Sequence, residues 1–98
     1  MRTEFEWDPD KAESNRRKHG VSFTSALRAF ADPHRVEELE RYVDDEERWQ
    51  TTGMADGYLL LLVVHTNLEF DDVEVVRIIS ARLATNGERR KYEKAYHG

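Results

Sequence analysis

The segment Arg77-Ile78-Ile79-Ser80-Ala81-Arg82 decides the fold, and it closes a β-branched run that begins at Val73. Valine and isoleucine pack well on a pleated sheet, so residues 73–82 are predicted to form an inner strand. Side chains alternate between the two faces of a strand. The face expected to carry a packed helix holds Val73, Val75, Arg77, Ile79 and Ala81. The opposite face ends in a hydroxyl and a guanidinium, which suits an anion, and it holds Val76, Ile78, Ser80 and Arg82.

The first of two helices predicted before this strand contains few apolar residues. Asp8 can cap it, Pro9 suits its first position and Gly20 suits its end, so it is predicted over residues 9–19. Spacings of three and four put several polar residues along one side of it. That stripe consists of Lys11, Asn15, Lys18 and His19.

The second helix is predicted to be a core element. Ser22 or Thr24 can cap it, and Asp32-Pro33 ends it. Its apolar residues follow the i, i+3, i+4, i+7 spacing of a helix that is buried along one side. They are Phe23, Ala26, Leu27 and Phe30.

The other segments before residue 73 favour strands. Asp56-Gly57 is a hairpin signal, and Asn67 to Asp72 is expected to be an acidic loop. The continuous apolar run over residues 58–64 should be the most buried strand. Further strands are predicted at residues 5–7, 34–43 and 48–54.

After residue 82, Thr85 or Asn86 can cap a last helix that runs to about Tyr96. The order of elements is thus βααββββα, with the four later strands in an antiparallel meander. The length suits one domain over residues 1–98. The predicted class is α+β, with a small antiparallel sheet of about four strands.

The composition excludes several function classes. The chain contains no cysteine, so it has no disulfide framework, thiolate zinc site or cysteine nucleophile. No apolar run reaches the roughly 18–20 residues of a membrane helix, and the N-terminus lacks a signal-peptide pattern. The expected location is therefore the cytoplasm. The carboxylates show no ligand spacing, so neither a metal nor another cofactor is predicted.

Charge is distributed unevenly along the chain. The formal net charge of −5 argues against indiscriminate binding of nucleic acid. Residues 11–20 and 82–94 each carry +3, whereas residues 32–47 carry −6 and residues 69–77 carry −3. If the fold brings the two basic segments together, a positive cleft is retained on an acidic protein. The alternative is that both segments are solvated helix faces.

Three blocks of the sequence carry a family resemblance. They are Phe5 to Ala12 with Asn15 and Lys18 to Phe23; Phe30 to Pro33 with Arg48 and Gly53; and Arg77 to Arg82 with Ala84-Thr85, Glu88-Arg89 and Tyr92. Taken together and in this order, they resemble the BrnT-type toxins of bacterial type II toxin–antitoxin systems. The resemblance covers nearly the whole chain.

The resemblance implies a RelE-like fold with helices packed on one face of the sheet. It also implies a ribonuclease that arrests growth by cutting RNA and that a cognate antitoxin holds in check. The antitoxin would carry a DNA-binding domain, so the toxin would reach operator DNA only within a hetero-oligomeric complex. The alternative, suggested by the acidic balance, is a non-catalytic binding module that acts as a co-repressor with a DNA-binding partner.

Three residues, His19, Arg48 and Arg82, are predicted to carry the chemistry. Metal-independent RNA cleavage needs a base for the attacking 2′-OH, positive groups for the phosphoryl charge and an acid for the leaving oxygen. An imidazole titrates near pH ~6.5, which suits His19, although a favourable cation at a helix end is an equally good role. Arginine can bind phosphate bidentately. For Arg82 the alternative is a structural ion pair, and Arg48 opens a neighbouring strand from which it could meet the same phosphate.

Six further residues are predicted to contact RNA. Both lysines among them would guide phosphates, and both aromatic residues could stack bases, with core packing as the alternative for the aromatics. Arg77 is in phase with core-facing residues, so an ion pair at the edge of the core is an equally good role for it. The six are Trp7, Lys11, Lys18, Arg77, Arg89 and Tyr92.

Overall fold

Strand-forming segments joined by tight turns build one sheet, with two helices on one face and a single helix on the other. The computed structural model describes residues 2–97. Its elements are β1 (Arg2–Glu6), α1 (Pro9–His19), α2 (Phe23–Phe30), β2 (Val36–Val43), β3 (Glu46–Ala55), β4 (Leu59–Phe70), β5 (Val73–Leu83) and α3 (Asn86–His97). This confirms the predicted order of elements. Within the part of the chain that the structure describes, no helix is long and apolar enough to cross a membrane.

The sheet has five strands in the order β1-β5-β4-β3-β2. The last four form the predicted antiparallel meander. The prediction of about four antiparallel strands was wrong, because β1 adds to the edge of β5 in parallel, from Arg2 opposite Val73 to Glu6 opposite Arg77. All five residues of β1 are exposed, and its parallel partner β5 is far away in sequence, so the sequence of β1 alone does not predict this pairing.

Aspartate residues make the hairpins tight. Asp44, Asp45, Asp56 and Asp71 all have positive φ, between 51° and 66°, which aspartate tolerates better than most residues. The acidic loop predicted from Asn67 to Asp72 was therefore wrong. β4 continues to Phe70 and β5 starts at Val73, so only two residues turn the chain.

A β-bulge in β5 overturns the predicted division of its faces. Two adjacent residues of β4 pair with Ser80 and with Ile78, so Ile79 has no partner across the ladder. The extra residue shifts the alternation by one position. Ile78 and Ala81, predicted on opposite faces, therefore both lie in the core, with 1% and 0% exposure.

The same bulge places Arg77 and Arg82 together on the face opposite the core. Arg77 is adjacent to buried Ile78, and Arg82 is adjacent to buried Ala81, so both side chains project away from the core. The prediction that Arg77 lies on the core side, with Val76 on the other face, was wrong, since Val76 is buried against the helix layer. Strict alternation cannot anticipate an inserted residue.

The helices cover both faces of the sheet, rather than one face as predicted. α2 packs so closely over Gly53 that a Cβ there would collide with the Ala29 carbonyl oxygen. α3 lies on the opposite face, where Tyr92 lines a cleft with Thr52. The cause is in β4, where residues 60–62 are all buried leucines, so both faces of this strand need cover. The core under α2 consists of Val21, Phe23, Ala26, Ala29, Ala55, Leu61, Val63, Ile78 and Ala81.

One side chain joins α1 to the edge of the sheet. β1 accompanies β5 only as far as Arg77, which leaves the following backbone of β5 without a strand partner on that side. Asn15 takes this place: its Nδ2 donates to the Ala81 carbonyl at 2.8 Å, and its Oδ1 accepts from the Ala81 amide at 3.1 Å. Nδ2 also donates to the Val21 carbonyl at 3.0 Å. Asn15 is buried, and its amide acts as a one-residue extension of the sheet.

We expect Asn15→Asp to lower the free energy of unfolding by about 2–4 kcal/mol, because a carboxylate offers no donor to the two buried carbonyls. Urea denaturation measures the change. Ser14→Asp, which adds the same charge at the exposed neighbouring position, should cost less than about 0.5 kcal/mol. Equal losses for the two variants would contradict the role given to the amide.

Gly53→Ala should destabilise the protein by about 1–3 kcal/mol, since the added methyl collides with the backbone of α2. The matched variant is Gly87→Ala in α3, where no surrounding atom lies closer than 3.8 Å to the new Cβ. Alanine there should stabilise by about 0.4–1 kcal/mol. Thermal unfolding of the two variants would show opposite shifts of Tm.

Candidate functional site

Two helices attach to consecutive residues at the end of β5. α1 holds the backbone of Ala81 through Asn15. α3 holds the side chain of Arg82 through Glu88. The two basic segments of the sequence therefore attach at neighbouring residues of β5, α1 through the backbone of Ala81 and α3 through the side chain of Arg82 on the opposite face.

Arg82 is fixed by its own ion pair. Its Nη1 and Nη2 donate to the two carboxylate oxygens of Glu88 at 2.8 and 2.9 Å, and Nη1 also donates to the Leu83 carbonyl at 3.2 Å. A guanidinium has five N–H donors. Its Nε–H and the second Nη2 proton make no hydrogen bond to any described residue, and the side chain is 37% exposed. Arg82 thus keeps one edge, with two parallel donors, available to an anion.

Glu88 does two things at the start of α3. Its carboxylate accepts from the Thr85 amide at 2.8 Å, and the Thr85 hydroxyl accepts from the Glu88 amide at 3.2 Å, which is a capping box. The hydrogen bonds from Arg82 lower the pKa of Glu88 to about 2, against an opposing effect of burial and with help from Thr85. The carboxylate is therefore ionised at neutral pH and orients the Arg82 guanidinium.

A basic groove of about 190 Å³ lies between α1 and β5. Lys11, Lys18 and half-buried His19 line it from the helix, and Ile79 and Ser80 line it from the strand. No acidic side chain is among its described lining residues, and neither lysine forms an ion pair with any residue between 2 and 95. The groove is therefore a local positive surface on an acidic protein.

The groove adjoins Arg82 through the strand itself. Ser80 lines the groove, and Arg82 is two residues farther along, a backbone separation of about 7 Å. A phosphate diester is a few ångströms across. His19 and the side chain of Arg82 lie on opposite faces of the sheet, and the edge of β5 that β1 leaves open lies between them.

Arg48 and Arg77 lie on the same face as Arg82 but farther along the sheet. The residue after Arg48 is opposite His65, whereas Arg82 is opposite Leu62, so their backbones are offset by roughly 13 Å along the strands and lie two strands apart. Arg48 is held loosely by Glu46 at 3.5 Å, and its buried Nε has no hydrogen-bond partner among the described residues. For Arg48 and Arg82 to hold a single phosphate, both side chains would have to extend toward each other.

Arg77 lies against an exposed carboxylate. The Arg77 guanidinium is 3.8 Å from the carboxylate of Glu6 on the neighbouring β1, and the Arg77 side chain is 49% exposed. The structure thus gives Arg77 a weak surface ion pair, two residues before Ile79 of the groove that His19 lines.

The remaining candidates for RNA contact are engaged in packing or pairing. Trp7 is half-buried and meets the ring of Phe23 edge-on, with 5.9 Å between centroids. Tyr92 is 6% exposed and donates its hydroxyl to Asp32 at 2.6 Å. Arg89 lies 3.9 Å from Glu93 on the same helix. The structure thus places both aromatic residues in the packing role that was their alternative.

The sequence arguments missed two residues that build this site. Asn15 was placed on the polar stripe of α1, but its partner is 66 residues away and gave no signal. Glu88 could have been found, because Thr85 followed three residues later by Glu88 is the signature of a capping box.

Asp32 is the centre of a separate hydrogen-bonded cluster that lies outside the basic groove. Burial raises the pKa of its carboxyl, but hydrogen bonds from Tyr92, the Met54 amide and the His34 amide lower it further, so the pKa falls below its ordinary value. This ionised group ties the end of α2 to β3 and α3. No group of three or more histidine, aspartate or glutamate side chains suited to a metal ion occurs among the described residues.

The fold is shared with a protein of known structure. The crystal structure of the ribonuclease toxin BrnT from Brucella abortus matches with a TM-score of 0.59 and 19% sequence identity. The match covers 88% of this chain and 100% of that one. At this identity the likeness shows the fold alone.

The sequence defines the class more closely. The family model described as "Ribonuclease toxin, BrnT, of type II toxin-antitoxin system" matches residues 7–88. Together with the fold, this match defines the class as the ribonuclease toxins of type II toxin–antitoxin systems. The chain belongs to the BrnT family, which confirms the resemblance and implies an antitoxin partner. No curated protein matches it.

We expect Glu88→Gln to lower the free energy of unfolding by about 1–2 kcal/mol at pH 7, because it removes a charged partner of Arg82. Folding lowers the pKa of Glu88 from 4.5 to about 2, so this stabilisation is complete above pH 4.5 and is lost as the pH falls toward 2. Urea denaturation at pH 7, 4 and 3 should show wild type and variant converging. The control is Glu93→Gln, an exposed partner of Arg89 on the same helix. A difference that does not depend on pH would contradict the ion-pair explanation.

Proposed function

We propose that this chain is itself an active endoribonuclease, with RNA bound where α1 and α3 meet the end of β5. One observation carries the proposal: a groove lined by Lys11, Lys18 and His19 without a described carboxylate adjoins an arginine that has two donors available. Phosphate affinity in proteins comes from such clustered cations. Family membership supports ribonuclease activity in general.

Arg82 is proposed to bind the scissile phosphate through its Nε and Nη2 donors. Two parallel N–H groups match two phosphoryl oxygens in geometry and charge. Glu88 leaves this edge of the guanidinium available and fixes its direction. Fixed donors aimed at developing phosphoryl charge are worth about 10²–10³-fold each, by analogy with oxyanion holes.

His19 is proposed to move the proton. The ribose 2′-OH attacks the adjacent phosphorus, the bond from phosphorus to the 5′-oxygen breaks, and the products are a 2′,3′-cyclic phosphate and a 5′-hydroxyl. The reaction needs a base for the 2′-OH proton and an acid for the 5′-oxygen, and imidazole can serve in either role. Such proton transfer contributes roughly 10²–10⁴-fold. We propose that no metal takes part.

The surroundings of this activity are also proposals. The antitoxin is proposed to carry a DNA-binding domain and to form a hetero-oligomer with the toxin, which thereby reaches operator DNA. The toxin would act in the cytoplasm, where its RNA substrate is found. We further propose a RelE-like origin for the fold, which the antiparallel meander with helices on it supports.

Arg82→Ala should reduce RNA cleavage by about 10²–10³-fold and relieve growth arrest when expressed without antitoxin. Arg82→Lys should restore little, since lysine keeps the charge but lacks the paired donors. His19→Ala should lose roughly 10²–10⁴-fold. The measurements are the rate of cleavage of a labelled RNA and colony formation after induction.

The matched control is Arg28→Ala. Arg28 is also paired with a carboxylate, Asp56 at 3.1 Å, but it lies outside the groove and should keep full activity. Circular dichroism must show that each variant is folded. If wild type leaves RNA intact and is harmless, the catalytic proposal fails and the non-catalytic co-repressor becomes the better explanation. If His19→Ala retains wild-type cleavage, the role of His19 is refuted.

A further inference from the structure

The sheet has an apolar surface that no helix covers. Opposite the α1 and α2 layer, Phe70 pairs with Val73 and Leu68 pairs with Val75 at the end of the β4–β5 hairpin. Cross-strand partners lie on the same face, so these four side chains form one patch, which we call the hairpin-end surface. Leu68 is 61% exposed and Phe70 is 54% exposed.

This surface remains open because α3 is placed elsewhere. α3 begins beside Arg82 and packs toward β3 and Asp32, at the other end of the strands. Leu68 and Phe70, two positions apart on the same face of β4, leave a large apolar area in water, which is unfavourable in free energy. A contiguous exposed patch of this kind typically marks an interaction site.

Acidic turns surround the hairpin-end surface. The turn at Asp71-Asp72 closes the β4–β5 hairpin itself. The turn at Asp44-Asp45 closes the β2–β3 hairpin, and the antiparallel pairing of β3 with β4 puts it at the same end of the sheet. The exposed arginines nearby on this face are already paired, Arg2 with Glu4 and Arg77 with Glu6. The end of the sheet is therefore apolar in its middle and negative at its rim.

This charge pattern decides which partner fits. A second copy of the chain, docked by a two-fold axis, would bring both sets of acidic turns together and would be repelled. RNA would be repelled as well. A protein segment with apolar residues flanked by lysine or arginine is complementary both to the apolar middle of the surface and to its acidic rim.

We propose that the hairpin-end surface docks a basic, apolar segment of the antitoxin. The inference rests on the antitoxin partner that family membership implies, and not on the catalytic roles given above. Val75 is four residues before Ile79 of the groove and seven before Arg82, so this docking surface is about 13 Å from the edge of the groove and about 20 Å from Arg82. Binding and catalysis are therefore separable by mutation.

Two variants test the two components of the surface. Leu68→Ser with Phe70→Ser should weaken binding of the fluorescently labelled cognate antitoxin by about tenfold or more at any salt concentration. Replacing Asp44, Asp45, Asp71 and Asp72 by asparagine retains side chains that tolerate positive φ. This variant should bind several-fold more weakly at low salt and show a smaller salt dependence.

The control is Tyr58→Ser, which removes a large, even more exposed side chain, 71% accessible, from the opposite end of the sheet. It should bind antitoxin as wild type does, and all three variants should cleave RNA at the wild-type rate. The proposal is overturned if the hairpin-end variants bind antitoxin normally or if Tyr58→Ser binds as weakly as they do. It is also overturned if sedimentation shows that wild type is a homodimer which the double substitution Leu68→Ser with Phe70→Ser dissociates. A wild type that cleaves no RNA would refute the catalytic proposal alone, because the binding comparison still stands.

Discussion

The position of α1, and with it the basic groove, depends on two hydrogen bonds between the Asn15 amide and the backbone of Ala81. They satisfy backbone groups of β5 that no strand reaches, so they remove a cost of burial as well as joining two elements. A third hydrogen bond, to Val21, fixes the chain where α1 leads into α2. The basic groove exists because this one side chain keeps an otherwise poorly packed helix against the sheet.

The β-bulge at Ile79 makes that arrangement compatible with a phosphate site. Without the inserted residue, Ile78 and Ala81 could not both face the core, and Arg82 would project from a different side. Bulges are typical devices for re-aiming a side chain next to a functional site. Here the bulge sets the direction of the guanidinium, and Glu88 then fixes its rotation.

The sequence predicts features that depend on a few consecutive residues, and it does not predict features that depend on pairing between distant segments. The limits of α1 follow from Asp8 and Gly20, whose cap and left-handed conformation are properties of a few consecutive residues. The bulge at Ile79 depends on the register with another strand, which alternation along one segment cannot contain. Arg82 could be proposed as an anion-binding residue from its residue type, because arginine binds phosphate bidentately. The role of Asn15 could not be predicted from its own segment, because its hydrogen-bond partner Ala81 is 66 residues away.

Charge is distributed unevenly along the strands. The acidic turns at Asp44-Asp45 and Asp71-Asp72 occupy one end of the sheet, and the cations of the groove and of α3 lie toward the other, where the only acidic hairpin turn among the described residues is at Asp56. Far from RNA, the net charge of −5 dominates and the encounter is repulsive; within a Debye length, ~8 Å at physiological ionic strength, the basic end is attracted. Adding a little salt therefore helps the approach, and adding more weakens the bound state. If the chain cleaves RNA as proposed, this charge arrangement gives cleavage an ionic-strength optimum and favours one orientation toward the polyanion.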